Sequence, residues 1–124
     1  MELWEILVPT VMNDKPVRTR YHRVWDEKVR SISRGLTVLT PAKGQWISPD
    51  GELFVERMIP VRIACTRDDI DKIADMTAKY YEQEAVMYYR VSDIVVIKHF
   101  GGQNGHSSQE TAAPLFQRSE SSPS

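Results

Sequence analysis

The stretch ISPDGELFVERMIPVRIACTRDDI, residues 47–70, decides the fold. Ser48-Pro49-Asp50-Gly51 is a turn signal: proline presets one central backbone angle, and glycine tolerates the backbone that closes the turn. A β-rich return follows, Glu52-Leu53-Phe54-Val55 and then Ile59 to Cys65. There Ile59, Val61, Ile63 and Cys65 alternate onto one face. At Thr66 the apolar period changes from 2 to 3.6. Thr66 can cap a helix, and Asp68, Asp69 and Asp71 bring negative charge to the first turn, where it complements the helix dipole. Ile70, Ile73, Ala74, Thr77 and the pair Tyr80/Tyr81 trace the buried stripe of a helix ending near Gln83-Glu84. Pro60 lacks an amide hydrogen, so its strand must hold it at an edge or a bulge.

Upstream, Leu36-Thr37-Val38-Leu39-Thr40 and Gln45-Trp46-Ile47, separated by Pro41-Ala42-Lys43-Gly44, read as the other arm of a long, partly projecting hairpin. Before it, Val24, Trp25, Val29 and Ile32 recur at helical spacing, with Tyr21 one position ahead. Thr19 is the expected N-cap of that helix and Gly35 its expected left-handed C-terminal residue. Leu3 to Val8 is an aromatic and branched strand that stops at Pro9, and Thr10 to Arg18 carries turn residues. Downstream, Ala85 to Val91 reads as a strand. Ser92-Asp93 interrupts it, and Ile94-Val95-Val96-Ile97 continues it. The order β-α-β-β-α-β over residues 1–100 predicts an α+β, ferredoxin-like sandwich with both helices on one face of an antiparallel sheet. The other face is left open, which predicts a homo-oligomer, a trimer in preference to a dimer. Residues 101–124, rich in Gly and Ser, predict a flexible tail whose one apolar spot is Leu115-Phe116.

Of 124 residues, 41% are hydrophobic and 27% charged, enough for a core without a staple. The formal net charge of -1 argues against general nucleic-acid binding. The single cysteine, Cys65, lies in an apolar strand and reads as a small buried hydrophobe, which fits a reducing compartment. The first residues form no secretory signal and no run is long enough to span a bilayer, so a cytoplasmic location is expected.

Three segments resemble the PII-like superfamily of small trimeric signalling proteins. Leu36 to Gln45, ending Lys43-Gly44-Gln45, looks like the strand entering that family's long T-loop. Glu52 to Ile63 looks like the return into the third strand, and Val91 to Lys98 like the fourth. The chain is also similar to a bacterial family of unknown function with a Gly-Leu-Thr-Val-Leu…Gly-Gln-Trp pattern, here Gly35 to Leu39 and Gly44 to Trp46. The PII resemblance implies a nucleotide or other anion bound between subunits, with Gln45 at the loop base and Lys98 among the basic residues after the last strand. Where the family has a Gly-rich turn, this chain has Gln83-Glu84-Ala85.

The expected ligand-binding residues are Lys43, Gln45, Trp46, Arg57, Arg62, Tyr89 and Lys98: cations for an anion, Gln45 for polar recognition, aromatics for stacking. Each has a plainer reading. Trp46 and Phe54 can pair across the hairpin, and Tyr80-Tyr81 with Met87-Tyr88-Tyr89-Arg90 can be core and interface packing. His22, His99 and His106 lack metal-ligand spacing, and His22 beside Tyr21 reads as a surface or cap residue. Glu82 and Glu84 read as a solvated helix end. There is no phosphate loop, nucleophile elbow or dinucleotide fingerprint, and no cofactor is named. The favoured reading is a non-enzymatic oligomeric regulatory or small-ligand-binding protein, with a possible protein partner through the 40–58 hairpin. Its competitors are a small-molecule enzyme of the dimeric α+β-barrel type, using His22 with Tyr21 or Tyr89, and a pure interaction module.

Overall fold

The computed structural model describes residues 1–101, so the expected tail, apart from Gly101, lies outside the described residues. The chain forms β1 (Glu2–Pro9), β2 (Val11–Met12), β3 (Lys15–Pro16), α1 (Thr19–Ser33), β4 (Thr37–Val38), β5 (Ala42–Ile47), β6 (Leu53–Cys65), α2 (Arg67–Tyr80) and β7 (Tyr88–Ser92). The main sheet runs β4-β6-β1-β7, and β5 pairs with the projecting end of β6. All pairings are antiparallel. This is the α+β ferredoxin-like arrangement, with β4 and β5 together in the place of one interrupted strand.

Alternation sorts the sheet into two faces. Trp4, Ile6 and Val8 of β1, with Val61, Ile63 and Cys65 of β6, turn to the helices and are buried. They meet Trp25 and Val29 of α1, and Ile70, Ile73 and Ala74 of α2. Three buried polar groups in this core hold each other or the backbone. Trp25 Nε1 donates to Thr77 Oγ1 at 2.9 Å, Thr77 Oγ1 donates to the Ile73 carbonyl at 2.6 Å, and Trp4 Nε1 donates to the Cys65 carbonyl at 3.3 Å. The helices are clasped by Tyr21 and Tyr80. Their rings stack at 4.2 Å, and each hydroxyl donates to the other residue's carbonyl, at 2.5 and 2.7 Å. Cys65 is buried as expected, and desolvation, aided by Asp69 and Glu2, pushes its thiol up to about 11.

Thr66 caps α2 as read from the sequence, accepting from the Asp69 amide at 3.2 Å. Four expectations are corrected. Thr19 is the first residue of α1 and is buried; Arg18 occupies the cap position, with extended backbone and no side-chain cap bond. The left-handed position after α1 falls on Arg34, φ 74°, not on Gly35, because the Arg34 amide turns back to the Arg30 carbonyl at 2.8 Å. α2 ends at Tyr80 and not near Gln83-Glu84. Ile94 to Ile97 is not a strand: β7 stops at Ser92, where Ser92 Oγ bonds both the amide and the carbonyl of Ile94. The loop from Thr10 to Arg18 contains the small β2-β3 hairpin, turned through Asn13 and Asp14 at positive φ.

Pro60 sits inside β6 opposite Leu7. Its carbonyl accepts from the Leu39 amide at 2.9 Å, so its missing donor points toward the β4-β5 side. There the neighbouring strand is interrupted between Val38 and Ala42. The strand accommodates proline by breaking its partner.

Candidate functional site

The expected site residues separate into two groups, with Lys98 apart from both. Lys43, Gln45, Trp46 and Arg57 lie on the β5-β6 hairpin, whose turn has Gly51 at φ 89° and the Gly51 amide bonded to the Ser48 carbonyl at 2.9 Å. Register fixes its two faces. Trp46 stands opposite Phe54 and Gly44 opposite Glu56. The rings of Trp46 and Phe54 stack at 4.7 Å and 16°, and Trp46 Nε1 donates to Glu56 Oε2 at 3.3 Å. The Met58 methyl lies where a Cβ on Gly44 would stand, 2.5 Å away. This face is satisfied from within, so cross-strand packing of Trp46 and Phe54 holds.

The other face carries Lys43 opposite Arg57, Gln45 opposite Val55, and Ile47 opposite Leu53. All six are exposed. No hydrogen bond or ion pair joins any of these side chains to another described residue. Two cations therefore face each other across the strands, where like charges directly opposite are destabilising.

Arg62 and Tyr89 belong to a second constellation, on the open face of the sheet. Thr37, Arg62, Glu5 and Tyr89 form one cross-strand row through β4, β6, β1 and β7. Glu5 is at its centre and only 7% exposed. Arg62 Nε donates to Glu5 Oε1 at 2.8 Å, and the Tyr89 hydroxyl donates to Glu5 Oε2. Burial raises the Glu5 carboxyl, but the bonds from Tyr89 and Arg62 outweigh it and hold the group below its ordinary value. The same bond raises the Tyr89 hydroxyl. Sequence reasoning missed Glu5. The available signal was a lone carboxylate in the alternating run Leu3 to Val8, on the face opposite Trp4 and Ile6. Lys98 lies in the exposed segment after β7, apart from both groups.

His22 Nδ1 bonds the Tyr81 hydroxyl at 2.6 Å in the helix layer, whereas Tyr89 bonds Glu5 on the open face of the sheet. A shallow groove on the helices is lined by Lys28, Asp75, Met76, Lys79 and Tyr80, without His22. Among the described residues, no three His, Cys, Asp or Glu side chains gather in a group that could hold a metal ion, and no helix is long and apolar enough to cross a membrane.

The fold and these faces define a ferredoxin-like α+β domain with a projecting hairpin. No family model matches the sequence, and no curated protein matches it. Solved structures do match the fold. CutA1 from Oryza sativa superposes with a TM-score of 0.55 at 9% identity, covering 82% of this chain and 84% of that one. The divalent cation tolerance protein Cut A1 from Thermus thermophilus gives 0.54 at 9%, over 85% and 91%. The periplasmic divalent cation tolerance protein CutA from Archaeoglobus fulgidus gives 0.55 at 6%, over 87% and 95%. At these identities the likeness is one of fold, and the PII-like architecture read from the sequence is compatible with it.

Proposed function

We propose that the chain is a non-enzymatic, homo-oligomeric regulatory protein of PII-like architecture, a trimer in preference to a dimer and cytoplasmic. Its projecting hairpin recognises a small anionic ligand, with a nucleotide as the example the resemblance supplies. The observation that carries this reading is the opposed pair Lys43 and Arg57, exposed, without an acidic partner among the described residues, and with Gln45 next on the same face. An anion bridging the two cations removes their repulsion and makes charge-assisted hydrogen bonds of about 1.5–3 kcal/mol each. Oligomerisation follows from the open face, where Leu3, Leu7 and Ala64 flank the Glu5 row and remain only partly covered.

The test is titration calorimetry with nucleotides, inorganic phosphates and small carboxylates, with divalent cations included because the neighbouring structures are named for them. Wild type is expected to bind at least one anion. Lys43→Ala and Arg57→Ala are expected to weaken it by about tenfold to a hundredfold with the melting temperature unchanged. Absence of binding to every anion contradicts the reading.

A further inference from the structure

The groove on the helix layer has a volume of about 420 Å³, inside the range of about 300–1,000 Å³ usual for small-molecule sites. Helical spacing orders its lining. Met76 and Tyr80, one turn apart on α2, are half-buried and form the floor. Asp75 and Lys79, also one turn apart on α2, are exposed and form one rim. Lys28 of α1 is exposed and forms the other rim, with its ammonium 5.8 Å from the centre of the Tyr80 ring. That ring is held in place: it stacks on Tyr21, and its hydroxyl donates to the Tyr21 carbonyl.

The rim charges are not matched within the chain. Asp75 and Lys79 stand at the i,i+4 spacing, and in the order, that favours an ion pair. Yet no hydrogen bond or ion pair joins the side chain of Asp75, Lys79 or Lys28 to another described residue. Two cations from two helices and one carboxylate therefore converge over an apolar floor. A ligand bearing only a carboxylate would satisfy the lysines and set its charge against Asp75. A ligand bearing a carboxylate and an ammonium satisfies all three groups.

We propose that this groove binds a free aromatic α-amino acid, with its carboxylate between Lys28 and Lys79, its ammonium on Asp75 and its ring over Met76 and Tyr80. Both charges of such a molecule hang from one carbon, so the groups that meet them must be close neighbours. Asp75 and Lys79 are, since residues at this spacing have Cβ atoms about 5–6 Å apart. Lys28 reaches the carboxylate from the opposite helix, and both lysines make charge-assisted hydrogen bonds to it. A thioether beside a tyrosine ring is a bed on which another aromatic ring packs favourably. The site belongs to the helix layer, so it stands or falls separately from the anion at the hairpin.

Titration of the full chain with L-phenylalanine, followed by calorimetry and by the methyl resonance of Met76, tests this. Binding is expected at millimolar concentration or below, with the Met76 resonance shifting as the site fills. Phenylpropionate lacks the ammonium and phenethylamine lacks the carboxylate, and each is expected to bind at least about tenfold more weakly. Lys79→Met and Asp75→Asn, both at exposed positions, are expected to melt like wild type and to lose about tenfold or more in phenylalanine affinity. Asp75→Asn is expected to leave the affinity for phenylpropionate undiminished. Absence of phenylalanine binding at millimolar concentration, binding that leaves the Met76 resonance in place, or an Asp75→Asn variant that treats the two ligands alike overturns the proposal.

Discussion

β6 is one continuous strand of 13 residues, yet its two halves live in different chemistry. From Ile59 to Cys65 it is held between β1 and β4 beneath the helices, and Val61 and Ile63 are fully buried. From Leu53 to Met58 it is paired mainly with β5, and Val55, on the same side of the strand as Val61, is exposed. Local propensity separates the halves only weakly, since Phe54 and Val55 in one and Ile59, Val61 and Ile63 in the other all favour a strand. The helices do. They stop covering the strand at about Pro60, where its partner is also interrupted. Folding stability is concentrated in one half, and recognition is left to the other.

The largest effect expected is in the covered half's core. Trp25 is buried against Tyr81, its rings 6.2 Å apart, and bonded to Thr77. Trp25→Ala is expected to cost about 3–5 kcal/mol, from lost transfer energy plus the cavity left behind. Denaturant unfolding measures it, and a loss below about 1 kcal/mol breaks the assignment of the core. The row on the open face comes next. Glu5→Gln leaves Arg62 and Tyr89 with a weaker acceptor and is expected to cost about 1–3 kcal/mol at neutral pH. The sign with pH follows from the lowered Glu5 carboxyl. Its folded value lies below its unfolded one, so its contribution is present above the ordinary glutamate range, near 4.3. It is lost as pH falls through the lower folded value. Wild type and Glu5→Gln should therefore converge in stability as pH falls below about 4. Curves that stay parallel contradict the role given to Glu5.

Much of this division could be read from residues alone. The alternation Ile59, Val61, Ile63, Cys65 and the Thr66 cap specify strand and helix locally, so both are found where expected. Position-specific details were not legible. Thr19 has capping chemistry but is drawn into the buried side of α1, and Arg34 takes the left-handed position because its amide has a carbonyl to close on. Ile94 to Ile97 has strand propensity but no partner strand among the described residues, and propensity without a partner does not make a sheet. For the site, the hairpin cations could be named from sequence, but that Lys43 faces Arg57 is a fact of register. Glu5 was invisible for the same reason: its partners lie 57 and 84 residues away and meet it only once three strands are aligned.

The same residue type at two points of one strand tests the account most directly. Val61→Ala and Val55→Ala remove the same atoms from the same side of β6. Denaturant unfolding of both is expected to show a loss of about 2 kcal/mol for Val61→Ala, from two buried methylene equivalents and a residual cavity. For Val55→Ala the expected change is under about 0.5 kcal/mol. Equal losses at the two positions would contradict the division of β6 into a folding half and a recognition half.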